Sequence, residues 1–572
     1  MGSTLNPAPA KETKAQKVER LKRAKNPWES FADIEGFARA GRTAVLPEWA
    51  NLYFKWWGIY TQGDGAGAVG GQGGEGKATE YFMMRIGRPN GMLRSSQLRT
   101  IAALAETHAR SVADITVRQN IQLHWLTIEA IPEVMKALAA EGLSPKGACG
   151  DVTRNVTGCP LAGIAVDEIC DASPLALAAS RMLSGNDEFY NLPRKFKVSI
   201  TGCPVWCSYP EINDIGLTAI ARTRRGQREI GFSVRVGGGL SADPHLALRL
   251  NAFVRRDQAL PVVRAIAELF RSQESLRDNR KRARLKHLFT QQHWSAERFL
   301  FELNERLGFE LDPAEQEFPP ADAYRDHVGI HAQKQEGLYY VGAAVLRGRI
   351  TAGQMRAAAD LADRLASGEL RTTSMQNLLI INVPRANVDA LVRELDAAGL
   401  RVAASAFWRG AIACTGTEFC KLAVTETKGF ARWLVEELEE RIPDFDQPLK
   451  LNVAGCPNAC GQHWIADIGL EGKKIKHGDE LVDAYYFCLG GAVGAHQKIA
   501  RPIGYRCAAA EVPEAIERLL RTYLASRFDG ESLRAYFARF SEADLRAQVA
   551  GFAIEEVGRD LPAGPVPHGV GD

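Results

Sequence analysis

Four cysteines near the C-terminal end have the types and spacing to do chemistry. They stand in Ala413-Cys414-Thr-Gly-Thr-Glu-Phe-Cys420 and, about 35 residues on, in Gly455-Cys456-Pro-Asn-Ala-Cys460-Gly. Four thiolates brought together can hold an iron–sulfur cluster. Structural zinc sites favour cysteine pairs separated by two to four residues. Five residues separate Cys414 from Cys420, which suits zinc poorly.

The rest of the chain bounds the setting of that chemistry. Its 572 residues suffice for three or four domains, and 46% apolar with 24% charged residues is ordinary for a soluble globular protein. No stretch reaches the roughly 18 apolar residues of a membrane span. Residues 1–10 lack a charged segment followed by an apolar one, so the expectation is a cytoplasmic protein without a secretory signal. Its 11 cysteines are then expected as ligands, site neighbours or core residues rather than disulfides. A net charge of +3 does not suggest nucleic-acid binding. The local excess of Lys11, Lys14, Lys17, Arg20, Lys22, Arg23 and Lys25 over Glu12 and Glu19 reads as a solvated tail or surface helix. A sharper reading gives it a part in docking an acidic partner.

The elements that must position the cysteines are written twice. Gln376-Asn377 follows Gln119-Asn120 by 257 positions, and Gly399-Leu400 follows Gly142-Leu143 by the same interval. Gly202-Cys203-Pro-Val-Trp-Cys207, with Asp214-Ile-Gly-Leu217 beyond it, recurs 253 positions later as Gly455-Cys456-Pro-Asn-Ala-Cys460 and Asp467-Ile-Gly-Leu470. Val236-Gly-Gly-Gly239 is echoed by Leu489-Gly-Gly491. Two copies imply a duplicated domain with a pseudo-two-fold axis. Each copy mixes short β-branched runs, such as 198–201 and 378–383, with amphipathic helices, such as 96–109 and 352–366. The class is α+β. Eight glycines in residues 63–76 read as a mobile loop, and the acidic segment 310–321 as the seam between copies. A ligand on the axis would meet different residues from each copy.

On these motifs, from about residue 27 to residue 540, the chain resembles the siroheme nitrite and sulfite reductases. The resemblance implies an internally duplicated, pseudo-two-fold fold with paired ferredoxin-like half-domains and two siroheme-enclosing α/β lobes. The expected spans are a basic tail 1–30, half-domains 31–145 and 321–405, a first siroheme and substrate lobe 146–320, and a cluster lobe 406–572. By position, Cys414, Cys420, Cys456 and Cys460 match the ligands of one [4Fe-4S] cluster, and Cys460 matches the thiolate axial to siroheme iron. Arg85 in Met84-Arg85-Ile-Gly-Arg-Pro and Arg154 in Asp151-Val-Thr-Arg154 match substrate-binding arginines. Lys195 and Lys197 in Arg194-Lys195-Phe-Lys197 match a lysine pair, which alternation places on one side of a strand. Arg118, Arg194, Arg282 and Lys286 lie in segments that pair with siroheme carboxylates, and Asn458 lies inside the cluster motif. The implied reaction is the six-electron reduction of a small oxyanion. Arginine is a fixed donor for an anion, so Arg85 and Arg154 would bind and orient it. Crowded lysines lose basicity, so Lys195 and Lys197 would deliver protons.

Some residues depart from that pattern or leave it open. Cys149, Cys159, Cys203 and Cys207 offer four thiols in the first copy. Nine residues separate Cys149 from Cys159, and the expectation is a vestige of duplication rather than a second cluster. Cys149 and Tyr60 lie in segments near the same pocket and suggest a covalent link between them. The Gln462 and Gln376-Asn377 motifs favour nitrite, whereas Lys197 speaks for doubly charged sulfite; the reading settles on assimilatory nitrite reduction, with sulfite as alternative. No Gly-rich dinucleotide fingerprint or flavin module is present, so ferredoxin is the expected donor. A precorrin-3B synthase-like monooxygenase and a non-enzymatic four-cysteine zinc module are the competing readings.

Overall fold

The computed structural model describes residues 12–63, 80–317 and 325–551. The glycine-rich loop lies largely, and the seam partly, outside them. Secondary structure follows the hydrophobic period closely. Apolar residues at helical spacing give helices Ser95–His108 and Ala352–Leu365, which bury Leu98, Ile101, Ala102 and Ala105, and Met355, Ala358, Leu361 and Ala362. Thr351 caps the second helix by accepting the N–H of Gln354. β-Branched runs give strands Val198–Thr201 and Leu378–Pro384.

The strands form four sheets, two per copy. In the first copy Ile59–Gln62, Tyr81–Ile86, Ile121–Leu126 and Val112–Ile115 lie side by side, and the equivalent set in the second copy is Gly329–Ala332, Leu338–Ala343, Leu378–Pro384 and Glu369–Thr372. Each of these sheets is completed by the other copy. Arg349–Thr351 pairs antiparallel with Val112–Ile115, and Met92–Arg94 with Glu369–Thr372. The exchange covers one edge of each sheet and fuses both half-domains around one hydrophobic core. The other two sheets, Val198–Thr201 to Leu248–Arg255 and Ala411–Ala413 to Arg501–Ala508, carry separate cores. In both, the pairing at the cysteine-bearing end is parallel.

Two glutamines mark the pseudo-two-fold relation. Gln119 Nε2 donates to Gly158 O (3.1 Å) and Thr372 O (3.1 Å), and its Oε1 accepts from Gly158 N (3.2 Å). Gln376 Nε2 donates to Ala413 O (3.3 Å) and Ile115 O (2.9 Å), and its Oε1 accepts from Ala413 N (3.2 Å). Both side chains are buried, so each satisfies backbone groups that water cannot reach. The residues that follow Gly158 and Ala413 are Cys159 and Cys414.

The exchanged strand also clamps the first cysteine loop. Arg349 donates to both oxygens of Asp114 (2.9 and 3.1 Å) and of Glu418 (2.8 and 3.0 Å). Glu418 and Phe419 lie between Cys414 and Cys420, and Phe419 stacks on His124 with ring centroids 4.1 Å apart. Arg349→Met removes the shared cation from two partly or wholly buried carboxylates. It is expected to lower unfolding stability by about 3–5 kcal/mol, read as a lower urea midpoint at unchanged slope. An unchanged midpoint would refute the clamp.

Candidate functional site

Each cysteine motif lies where a strand ends. Cys414 follows Ala411–Ala413, and Cys456 and Cys460 follow Leu451–Ala454. Ala459 takes a left-handed φ of 54° and Gln462 one of 62°, which curls the Cys456–Cys460 loop tightly. Backbone N–H groups point at the sulfurs. Gly455 donates to Cys414 (3.2 Å), joined by Gly416; Leu422 and Ala423 donate to Cys420, and Asn458 to Cys456. The Asn458 side chain adds a further contact to Cys456 Sγ at 3.5 Å. Burial pushes the Cys420 and Cys456 thiols up to about 12, with Cys460 the next cause, and raises Cys414 for the same two reasons. The four thiols therefore converge, and a cationic iron–sulfur core would reverse the burial penalty by neutralising their charge.

On the other side of Cys460 stand the first copy's cations. Arg85, on strand Tyr81–Ile86, donates to Ala148 O (3.3 Å) and sits 5.6 Å over the Tyr60 ring. Arg154 donates twice to Gly150 O (3.2 and 3.0 Å). Lys195 and Lys197 occupy the extended segment just before strand Val198–Thr201, not the strand itself. Their alternation still holds: Phe196 between them is buried and stacks on Phe270, which turns both lysines the other way. Cys460 is exposed and is coupled electrostatically to Arg85 and Lys195 as well as to the other three thiols.

The cations depress one another. Burial, then Arg284 and Arg194, bring Lys195 down to about 7. Burial, then Arg118 and Arg284, hold Lys197 well below the ordinary lysine range. Arg118 reaches Asn213 Oδ1 (2.7 Å) and Asn155 O (2.6 Å), and burial followed by Arg154 lowers it to about 9. Two buried carboxylates partner the group. Asp214 accepts from Arg284 (2.7 Å) and from the backbone of Lys197 (2.8 Å). Asp151 accepts from Arg194 (3.2 Å), from Arg280 and from Lys22 (3.5 Å). The Nε–H groups of Arg85, Arg118 and Arg284 are buried with no hydrogen-bond partner among the described residues.

Most of the expected residues come together, but not all. Arg282 is exposed because the short turn Arg280–Arg282 ends there; Arg284, missed in the sequence, is the arginine turned inward. Lys286 is buried but gives its ammonium to the carbonyls of Leu240 and Asp243. The basic helix Lys14–Ala24 is no free tail: Lys22 is fully buried against Glu19 (2.5 Å) and Asp151. Cys159, Cys203 and Cys207 form a second group of thiols, which Cys149 does not join.

Comparison with known proteins agrees with this duplication. The nitrite and sulphite reductase 4Fe-4S domain matches residues 149–311 and 405–555, and the nitrite/sulfite reductase ferredoxin-like half domain matches 75–141 and 331–398. The assimilatory ferredoxin-dependent nitrite reductase of Haloferax mediterranei is 38% identical over 88% of each chain. The sulfite reductase [ferredoxin] of Mycobacterium tuberculosis is 36% identical over 92% of this chain and 95% of that one. The solved structure of the Mycobacterium tuberculosis NirA protein superposes with a TM-score of 0.87 at 35% identity, covering 92% of this chain and 97% of that one. No helix among the described residues is long and apolar enough to cross a membrane.

Asp151 offers a test of the cation cluster. Burial raises its carboxyl, but Arg280, Lys22 and Arg194 outweigh this and hold it well below the usual carboxylate range. A depressed carboxyl contributes stability that is fully present above its unfolded value, about 3.9, and lost as pH falls through the folded value. Asp151→Asn is expected to cost about 3–5 kcal/mol at neutral pH and to flatten the acid side of the stability profile. Equal urea midpoints for both proteins at pH 7 would overturn this.

Proposed function

We infer the function from one premise: this chain belongs to the nitrite and sulphite reductase family. We propose that it is a ferredoxin-dependent oxidoreductase that carries siroheme and one [4Fe-4S] cluster and reduces nitrite to ammonia, with sulfite reduction to sulfide as the alternative. The observation that carries this reading is the position of Cys460, coupled to three thiols of its own copy and to Arg85 and Lys195 of the other.

The residues present fit the cofactors. Among the described residues, half-buried cations outnumber the carboxylates Asp151 and Asp214 around them, and the Nε–H groups of Arg85, Arg118 and Arg284 lack partners. That surplus suits a ligand with several carboxylates. Arg118, Arg194 and Arg284 would pair with them, in place of the exposed Arg282. Cys414, Cys420, Cys456 and Cys460 would hold the cluster, with Cys460 shared with siroheme iron, and Asn458 would tune it through Cys456. When bound, siroheme supplies an iron with an open face for the anion and electrons delivered from the cluster. Arg85 and Arg154 then bind and orient the oxyanion with fixed donors. Lys195, poised near neutrality, gives protons to its oxygens. Leu422, two residues beyond Cys420, is 56% exposed, so the cluster loop reaches the surface where ferredoxin would dock.

The balance between substrates also rests on charge. Lys197 adds positive charge, which speaks for sulfite, whereas the Gln462 and Gln376-Asn377 motifs resemble the nitrite branch.

Activity with reduced methyl viologen on nitrite and on sulfite tests the reading; a higher kcat/KM for nitrite is expected, and activity on neither anion refutes it. Lys197→Asn is expected to raise the nitrite-to-sulfite ratio of kcat/KM, and an unchanged ratio would show that Lys197 does not select. Lys195 donates only while protonated, so kcat should fall as pH rises through its pKa. Bound carboxylates would raise that pKa, placing the limb at or above about 7. Lys195→Met should lower kcat by about 10²–10⁴-fold and abolish this alkaline limb; a variant that keeps the limb rules Lys195 out as donor.

A further inference from the structure

The first copy contains a second convergence of thiols, apart from the site above. Cys159, Cys203 and Cys207 are buried, and their sulfurs all lie within 4.8 Å of one another. Cys203 and Cys207 Sγ are 3.9 Å apart. These are the positional equivalents of three cluster cysteines. Cys159 follows Gly158 as Cys414 follows Ala413, the two residues clasped by Gln119 and Gln376. Cys203 and Cys207 stand 253 positions before Cys456 and Cys460. The backbone repeats as well. Trp206 and Ala459, each just before the last cysteine, have φ of 55° and 54°. Cys159 accepts the N–H of Leu161 and Cys203 that of Val205, as Cys414 accepts that of Gly416 and Cys456 that of Asn458. The N–H of Ala165 bonds Leu161 O as the N–H of Cys420 bonds Gly416 O. Ala165 thus stands where the fourth cysteine would be.

A loop that keeps its sulfurs, its strained turn and its N–H···S bonds after losing one ligand retains a thiolate-stabilising frame. Its spacing differs from that of the second copy. Among the described residues, no three of Cys414, Cys420, Cys456 and Cys460 lie as close together as the first-copy thiols. Thiolates of a four-iron cluster each bind a different iron and stand well apart. Thiolates on one zinc ion, at about 2.3 Å from the metal, stand about 3.8 Å from each other in a tetrahedron. The first-copy sulfurs match the single ion.

One cation stands beside the thiols. Arg325 places Nη1 3.9 Å from Cys203 Sγ while pairing with Asp167 (2.6 Å). Three thiolates and one divalent cation leave a single negative charge, which Arg325 offsets. A cavity of about 230 Å³, with Cys207, Val205, Tyr209, Arg325 and Lys450 among its lining residues, gives access. Leu161, Ile164, Tyr340, Leu379 and Ile381 pack the other sides.

We propose that Cys159, Cys203 and Cys207 hold one zinc(II) ion as thiolates, with the fourth position open to solvent from the cavity. Binding releases the thiol protons and involves no redox step. The ion would sit where the first lobe packs against the second half-domain, which supplies Tyr340, Leu379 and Ile381. The proposal does not depend on the identity of the reduced anion.

The test is metal analysis of the intact holoprotein purified without chelator from zinc-supplemented medium, followed by X-ray absorption at the zinc edge, where cluster and haem iron do not interfere. About one zinc per chain with three sulfur neighbours near 2.3 Å is expected. Cys207→Ser should lose the zinc and keep the iron. Protein with less than a tenth of that zinc, zinc without sulfur neighbours, or a mass loss of two hydrogens from a Cys203–Cys207 disulfide would each overturn it. The wild-type spectrum decides the matter even where a variant fails to fold.

Discussion

The constraint on which this structure turns is like charge crowded into a half-buried space. Arg85, Arg118, Arg154, Arg194, Lys195, Lys197 and Arg284 gather on one side of Cys460 with Asp151 and Asp214 as their buried carboxylate partners. Crowding of this kind is unfavourable in isolation, and the protein meets it with rigid anchoring. Asp151 ties the cluster to Arg280 and to Lys22 of the N-terminal helix. Asp214 ties it to Arg284 and to the strand that follows Lys197. On the proposed function, the remaining imbalance would make the space receptive to anions, both a carboxylate-bearing cofactor and a small oxyanion. It also brings Lys195 close to neutrality, where a proton can be given at little cost.

Duplication explains how opposite chemistries come to face each other. The exchanged edge strands and the paired glutamines make the two copies one body, so their ends meet on the axis rather than in separate domains. One copy then specialised in sulfur, the other in cations. The copies differ unevenly: the second carries four cysteines, while the first carries the cations and three thiols in the same frame. Cys460 lies where the two meet.

Much of this was legible in the residues. Four cysteines with a five-residue gap, and repeats at 257 and 253 positions, were enough to anticipate a duplicated α+β fold, and hydrophobic periodicity located helices such as Ser95–His108 closely. Non-local features were not legible. Nothing local in Arg349–Thr351 says that it joins the other copy's sheet, because a strand's partner is a property of the whole fold. Arg282 and Arg284 differ only in which one a short turn directs inward. Lys22 sits in a run that reads as solvated, and its burial depends on Asp151, distant in sequence. Cys159 has no second cysteine across a five-residue gap, and the clasp at Gly158 with the Leu161 and Ala165 hydrogen bonds reveals its kinship with Cys414.

On the proposed function one sulfur, that of Cys460, would join the electron-carrying thiols of one copy to the anion-binding cations of the other. The absorption spectrum of the purified protein, compared with that of Cys460→Ala, checks this. A Soret and a red haem band with iron–sulfur absorption are expected in the parent protein, with simultaneous loss or displacement of both sets of features in the variant. A variant in which either centre's absorption is unaltered would contradict it.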